Sequence, residues 1–307
     1  TYIFDEGPMS AVSVRDLRKR YGDFEAVKGI SFDVKEGSFF AFLGPNGAGK
    51  STTISILCSL LDFDAGTVNV FGKDPKDART EIGVVFQDHM LDDKLTVREN
   101  ILFRGSMYGL KGQELKDAVD KVISLTDADE FADRKYGQLS GGQKRRADIA
   151  RALVHGPKMI VLDEPTAGLD PQSRTSLWRT VLNLNRETGL TVFLTTHYME
   201  EATDADDIVI IDHGEIVAQG RSEELKEKYC TDYIKAYPKD TESFSRILET
   251  KGLGYISDKG VFIIPIGSTK DSVSLLNELN DHLESFEVRM GTLDEAFIKI
   301  TGGDDDE

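Results

Sequence analysis

The segment Gly44-Pro45-Asn46-Gly47-Ala48-Gly49-Lys50-Ser51-Thr52 has the G-x-x-x-x-G-K-S spacing of a phosphate cradle. Its glycines let the backbone take positive φ and approach an anion closely. The N–H groups of the loop, with a helix N-terminus behind them, then face the β- and γ-phosphates of a nucleotide. Lys50 adds a point charge, and the Ser51 hydroxyl is placed to ligate Mg²⁺. Far down the chain stands the pair Asp163-Glu164. Asp163 suits Mg²⁺ coordination, and Glu164 could orient or deprotonate an attacking water. Such a pair alone is also a common solvated turn; beside a phosphate loop it reads as the second half of a nucleotide site. A third segment, Leu139-Ser140-Gly141-Gly142-Gln143, places a natural N-cap at a helix start, again an anion site.

The elements that must carry these residues are legible from apolar runs. Residues 38–43 form a short continuous run, the size of a buried strand, and lead into the loop; a helix opens at residues 51–57. Residues 159–162 form another such strand, ending in the acidic pair, and residues 191–195 a third, ending before His197. Residues 11–36 alternate like antiparallel strands, 68–72 read as an edge strand, and roughly 96–133 as a helical insert. With residues 208–211 added, strands and helices alternate as in an α/β fold with a mostly parallel sheet. After about residue 228 the order becomes strand, helix, hairpin about Asp258-Lys259-Gly260, helix, strand, helix. That βαββαβ order with a last helix suggests a small ferredoxin-like α+β module. The expected organisation is an N-terminal extension (1–9), an ATP-binding domain (10–228), an accessory α+β domain (229–302) and an acidic tail (303–307). The accessory domain has no clustered metal ligands and no nucleophile with a base. A dimerisation or stability role and a regulatory or ligand-sensing role both remain open for it.

Composition narrows the partners. A net charge of −17 argues against a nucleic-acid surface. The basic cluster Lys144-Arg145-Arg146 lies on the helix after Gln143, where folding or phosphate contact is the expected use. Cys58 and Cys230 stand far apart, which suits a reducing compartment and inert thiols better than a disulfide. No run approaches eighteen apolar residues, so the chain is not expected to cross a membrane, and no secretory signal is expected at its start.

With these residues in order, the sequence resembles the nucleotide-binding subunit of ATP-binding cassette (ABC) transporters over roughly residues 10–225. By that resemblance Tyr21 stacks on adenine, a contact worth about 1–3 kcal/mol by analogy with base stacking. Gln87 joins the Mg²⁺ shell and senses a transmembrane partner, and residues 139–143 are the family signature. Gly168-Leu169-Asp170 is the loop that communicates across a dimer, and His197 the switch that contacts the γ-phosphate. Two protomers are implied to sandwich two Mg-ATP, each between one Lys50 loop and the partner's signature helix. The helical insert is implied to receive the coupling helices of a membrane subunit.

Residues 291–302, 95–100 and 108–110 further resemble the bacterial drug- and antibiotic-export ATPases of the daunorubicin-resistance type. The implied function is an Mg-dependent ATPase that couples dimer closure to export through a separate polytopic permease, at the cytoplasmic face of the membrane. Its second protomer is a further copy of itself or a related subunit. An importer ATPase would share every catalytic residue, though its C-terminal extension would more often be a small β-barrel. A soluble ABC ATPase acting without a membrane partner fits the single cassette and the acidic charge less well.

Overall fold

Alternating apolar residues at the start of the chain pair as a long antiparallel hairpin. In the computed structural model, which describes residues 10–267 and 269–302, its strands are β1 (Ser10–Tyr21) and β2 (Phe24–Lys35). The expected N-terminal extension and acidic tail lie outside the described residues. β3 (Phe39–Leu43) is buried at every position, as a strand covered on both faces must be. A glycine-rich turn leads into α1 (Lys50–Leu57). β4 (Ala65–Val70) then returns to β1, giving a three-stranded sheet in the order β2-β1-β4.

β5 (Ile82–Val85) is followed by three mutually packed helices, α2 (Val97–Met107), α3 (Gly112–Leu125) and α4 (Gly141–Leu153). Thr96 with Glu99 caps α2, and Ser140 with Gln143 caps α4, each as a reciprocal capping box. Next come β6 (Met159–Asp163), α5 (Pro171–Thr188), β7 (Thr191–Thr196), β8 (Asp207–Asp212) and β9 (Glu215–Gly220). These build a six-stranded sheet in the order β5-β6-β7-β3-β8-β9, parallel except for the last hairpin. The register sets Leu43 beside Thr196 and Asp163 beside Thr195. The loops carrying Gly44, Glu164 and His197 therefore leave the same edge of the sheet, where open α/β sheets bind ligands.

The two sheets of this first unit are joined by aromatic rings. Phe32 of β2 packs on Phe40 and Phe42 of β3 with centroids 5.6 and 5.4 Å away, and Phe193 of β7 closes the cluster 5.1 Å from Phe40. Each buried ring contributes about 1.5–3 kcal/mol of transfer energy, with roughly 0.5–1.5 more per well-set pair. This cluster covers one face of β3, since Phe40 and Phe42 are two residues apart; on the other face Phe39 stacks on Trp178 of α5 with centroids 6.0 Å apart.

The first compact unit runs to Arg221 and the second begins at Ser222. The second contains α6 (Ser222–Tyr229), β10 (Asp232–Pro238), α7 (Thr241–Thr250), β11 (Ile256–Asp258), β12 (Val261–Ile266), α8 (Ser272–Leu279), β13 (Leu283–Arg289) and α9 (Leu293–Ile300). Its strands form an antiparallel sheet in the order β11-β12-β10-β13, and α6 packs on α9. Ile234, Ala236, Phe244, Leu248, Phe262 and Ile264 form its separate core.

Candidate functional site

The phosphate loop is threaded between neighbouring backbones, which is why glycine is needed there. A Cβ on Gly44 would stand 2.3 Å from the Ile211 carbonyl oxygen, and one on Gly49 (φ +110°) 2.7 Å from that of Ala26. Gly47 (φ +83°) instead faces open space. Pro45, Asn46 and Gly47 form the accessible lip, Ala48 is buried beneath it, and Ser51 and Thr52 begin α1 with Ser51 exposed. The Thr53 hydroxyl donates to the Gly49 carbonyl and stiffens the helix start.

Lys50 is buried, and its ammonium donates to the carbonyl oxygens of Gly44 and Pro45. Burial holds its pKa below the usual lysine value against the opposing pull of Glu164 and Asp163. Glu164 Oε1 lies 3.7 Å from Lys50 Nζ and 3.4 Å from His197 Nδ1, the latter without hydrogen-bond alignment. Asp163 is pushed above the usual carboxylate range, first by burial, while the Thr195 hydroxyl donates to it at 2.6 Å. The Asp163 carboxylate, half-buried and destabilised by burial, and the exposed Ser51 hydroxyl are oxygen donors of the kind a hard divalent cation takes. Glu164 itself sits at φ +45°, a left-handed backbone that costs roughly 1 kcal/mol and is held by its N–H donating to the Thr195 carbonyl.

The structure thus gathers Gly44–Ser51, Asp163, Glu164 and His197 at one sheet edge. It leaves the other expected residues apart: among the described residues, no hydrogen bond or ion pair joins Tyr21, the Gln87 side chain, Ser140–Gln143 or Asp170 to the phosphate loop. Tyr21 is half exposed at the end of β1, with Lys19 Nζ 5.8 Å from its ring centroid. Ser140 and Gly141 are exposed at the start of α4, which rests on the Gly168–Ser173 turn; a Cβ on Gly142 would meet Ser173 at 2.9 Å. Asp170 caps α5 by accepting from the Ser173 N–H, and Ser173 holds its carboxyl below the usual range.

Sequence reading named Arg145 only within a basic cluster and assigned neither it nor Asp148 to the Gln87 loop. Arg145, 2% exposed, donates to the carbonyls of Phe86 (2.6 Å) and Gln87 (2.8 Å). Asp148, one helical turn on, accepts from the Tyr136 hydroxyl (2.9 Å) and pairs with His89 Nδ1 (2.7 Å). An Arg and an Asp three apart on one helix were the available signal. Thr195, the partner of Asp163, gave none.

A cavity of about 180 Å³ lies beside this loop, lined by Arg79, Arg104, Arg151, Tyr108, His155 and Phe86 among others. The Nε atoms of Arg104 and Arg151 are buried without hydrogen-bond partners. Among the described residues the three arginines form no ion pair. Burial, then Arg104 and Arg151, push His155 down to about 4, so it stays uncharged. Phe103 and Met107, 65% and 64% exposed, flank Arg104 on α2. Both cysteines are free, and burial pushes Cys58 up to about 12, as an inert thiol requires.

Compared with known proteins, residues 27–167 match the family described as "ABC transporter". The chain is 38% identical over 306 residues to the linearmycin resistance ATP-binding protein LnrL of Bacillus subtilis, covering 95% of this chain and 98% of that protein. It is 37% identical to the daunorubicin/doxorubicin resistance ATP-binding protein DrrA of Streptomyces peucetius, covering 96% and 93%. It is 36% identical to the Nod factor export ATP-binding protein I of Burkholderia lata, covering 96% and 98%. Among solved structures it resembles the dimeric post-hydrolysis cassette MJ0796 bound to ADP and Pi, with TM-score 0.62 and 30% identity over 68% of this chain and 98% of that one.

Proposed function

This chain belongs to the ABC transporter ATP-binding family and is an ATPase subunit, and on that premise we propose that it drives export through a separate transmembrane permease. One observation carries the catalytic reading: Glu164 Oε1 stands within 3.7 Å of both Lys50 Nζ and His197 Nδ1 at the mouth of the phosphate loop, with Asp163 adjacent in sequence. In this reading the loop N–H groups and Lys50 hold the β- and γ-phosphates of ATP. Lys50 then leaves its own loop carbonyls for the phosphates and stabilises charge developing on the transferring phosphoryl group. Ser51 and Asp163, with Gln87, would hold Mg²⁺, which when bound neutralises phosphate charge. Glu164 orients the attacking water and accepts its proton, while His197 faces the γ-phosphate.

The signature residues Ser140, Gly141, Gly142 and Gln143 serve the partner protomer's nucleotide. Their exposure at the start of α4, with no bond to their own phosphate loop among the described residues, supports this. Tyr21 is the adenine platform and Asp170 the residue that signals between protomers. Closure of two copies, or of this chain with a related subunit, therefore completes each site and excludes water.

Three features support the membrane partner. No described helix is long and apolar enough to cross a membrane, which is compatible with a substrate path built by another chain. The relatives named above include export and drug-resistance ATP-binding proteins. The arginine-lined cavity at Phe86, together with Phe103 and Met107 exposed on the helix that carries Arg104, suits an amphipathic cytoplasmic segment with a carboxylate. We place the chain on the cytoplasmic face of the membrane by this contact. We also read the second unit as a ferredoxin-like accessory domain: its antiparallel order β11-β12-β10-β13 around two helices supports that topology. The packing of α6 on α9 supports counting α6 with the accessory domain, which in this reading begins near Ser222.

Glu164→Gln tests the reading. With Mg-ATP it should form a stable dimer and turn over at least about 100-fold more slowly than the parent, and from gently solubilised membranes it should bring down a polytopic protein. Normal turnover by a monomeric Glu164→Gln protein would sink the catalytic assignment, and a stoichiometric soluble partner in place of the polytopic one would sink the export reading.

A further inference from the structure

His197 lacks a hydrogen bond at Nδ1, so its orientation against Glu164 is set by packing. The packing is specific. The His197 ring lies on Tyr198 with centroids 4.0 Å apart and planes tilted by 39°. The guanidinium carbon of Arg174 sits 4.4 Å from the centre of the Tyr198 ring. Tyr198 is pinned from behind, since its N–H donates to the Thr196 hydroxyl at 2.9 Å. The Nε atom of Arg174 is buried and has no hydrogen-bond partner. The face of Tyr198 is therefore the contact that fixes the guanidinium, as expected for a cation over an aromatic quadrupole.

Arg174 also belongs to the first turn of α5, where its N–H donates to the Asp170 carbonyl at 3.0 Å. That turn supports the start of α4: Leu169 lies 3.0 Å, and Ser173 2.9 Å, from where Cβ atoms on Gly141 and Gly142 would stand. The Asp170 turn is thus linked to the signature helix through Leu169 and Ser173, and to the histidine through Arg174 and Tyr198.

We propose that Arg174 is a positioning residue for ATP hydrolysis, acting through Tyr198 to set His197 against Glu164 and tying that setting to the Asp170 turn. The proposal rests on the role given to His197 above. A shift of the turn on dimer closure moves the guanidinium, the guanidinium moves the phenol ring, and the imidazole follows. Arg174 touches no reacting atom.

The test is steady-state ATPase activity of the full chain carrying Arg174→Gln, Arg174→Lys, Tyr198→Leu or Tyr198→Phe, each alone and combined with His197→Ala. Arg174→Gln and Tyr198→Leu should lower kcat about tenfold with KM for ATP within about twofold. Arg174→Lys and Tyr198→Phe, which keep the cation and the ring, should retain about half of kcat. In the His197→Ala background Arg174→Gln should cost less than about twofold more, because its route to the chemistry is already gone. Losses that multiply in that background would overturn the proposal, as would an unchanged kcat for Arg174→Gln. A normal rate for His197→Ala alone would also overturn it, and would place the failure in the role of His197. Thermal melts accompany each variant, and Lys rescue of kcat at equal melting temperature separates positioning from loss of fold.

Discussion

Arg145→Met removes the two donors that hold the Gln87 loop while keeping an unbranched side chain of similar length. The bond to the Phe86 carbonyl (2.6 Å) is charge-assisted and half-buried, worth about 1.5–3 kcal/mol. The part-buried bond (2.8 Å) to the carbonyl of Gln87, an exposed residue, can be replaced by water and counts for about 0.5 kcal/mol. Asp148 loses a guanidinium 3.8 Å away but keeps Tyr136 and His89. Removing a buried cation returns some desolvation cost, consistent with burial being the leading reason that the Arg145 pKa is lowered. The net expectation is a loss of about 1–3 kcal/mol, or a melting temperature lower by about 2–12 °C. The chain has a single tryptophan, Trp178, stacked on Phe39 in the first unit, so its fluorescence in urea reports that unit alone. ATPase kcat should fall about tenfold or more as Gln87 loses its anchor. Arg145→Lys, a point charge unable to span both carbonyls, should fall between. A destabilisation below about 1 kcal/mol for Arg145→Met would refute the view that this buried cation pins the loop.

Two further outcomes follow from the same geometry. His155 titrates near 4 when folded, against 6.5 unfolded, so the unfolded chain binds the extra proton between those values. Stability therefore falls as pH drops from about 6.5 toward 4 and levels below it, and His155→Gln should flatten that part of a melting temperature–pH profile; an unaltered slope would show that other groups cause it. Gly44→Ala puts a methyl group 2.3 Å from the Ile211 carbonyl, so it should cost about 1–3 kcal/mol and weaken ATP binding. Gly47→Ala, with open space around it, should cost only its backbone strain of about 1 kcal/mol; equal melting temperatures for the two variants, read with a fluorescent ATP analogue titration, would contradict the threading of the loop.

Local chemistry determined what the sequence could reveal alone. A phosphate loop works through glycine spacing and one lysine, so Gly44 to Thr52 announced themselves without a neighbour. The cap at Ser140 is likewise a four-residue event, and Gln143 closes the box as the S-x-x-Q pattern requires. The buried strands β3, β6 and β7 were legible because a strand covered on both faces reads as a near-continuous apolar run, with the buried Thr191, Thr195 and Thr196 as the polar members of β7. Tertiary structure decided the rest. Pairing of β6 with β7 set Thr195 beside Asp163, and the order β6-β7-β3 brought Glu164 and His197 to Lys50. Parallel pairing is specified by contacts remote in sequence, which no window of residues contains. Packing also split the basic run 144–146, burying Arg145 against Phe86 and Gln87 while Lys144 reaches toward the Tyr136 ring. The sequence determined which groups could handle a nucleotide; which of them stand together was decided by sheet register and burial, because both depend on the whole folded unit.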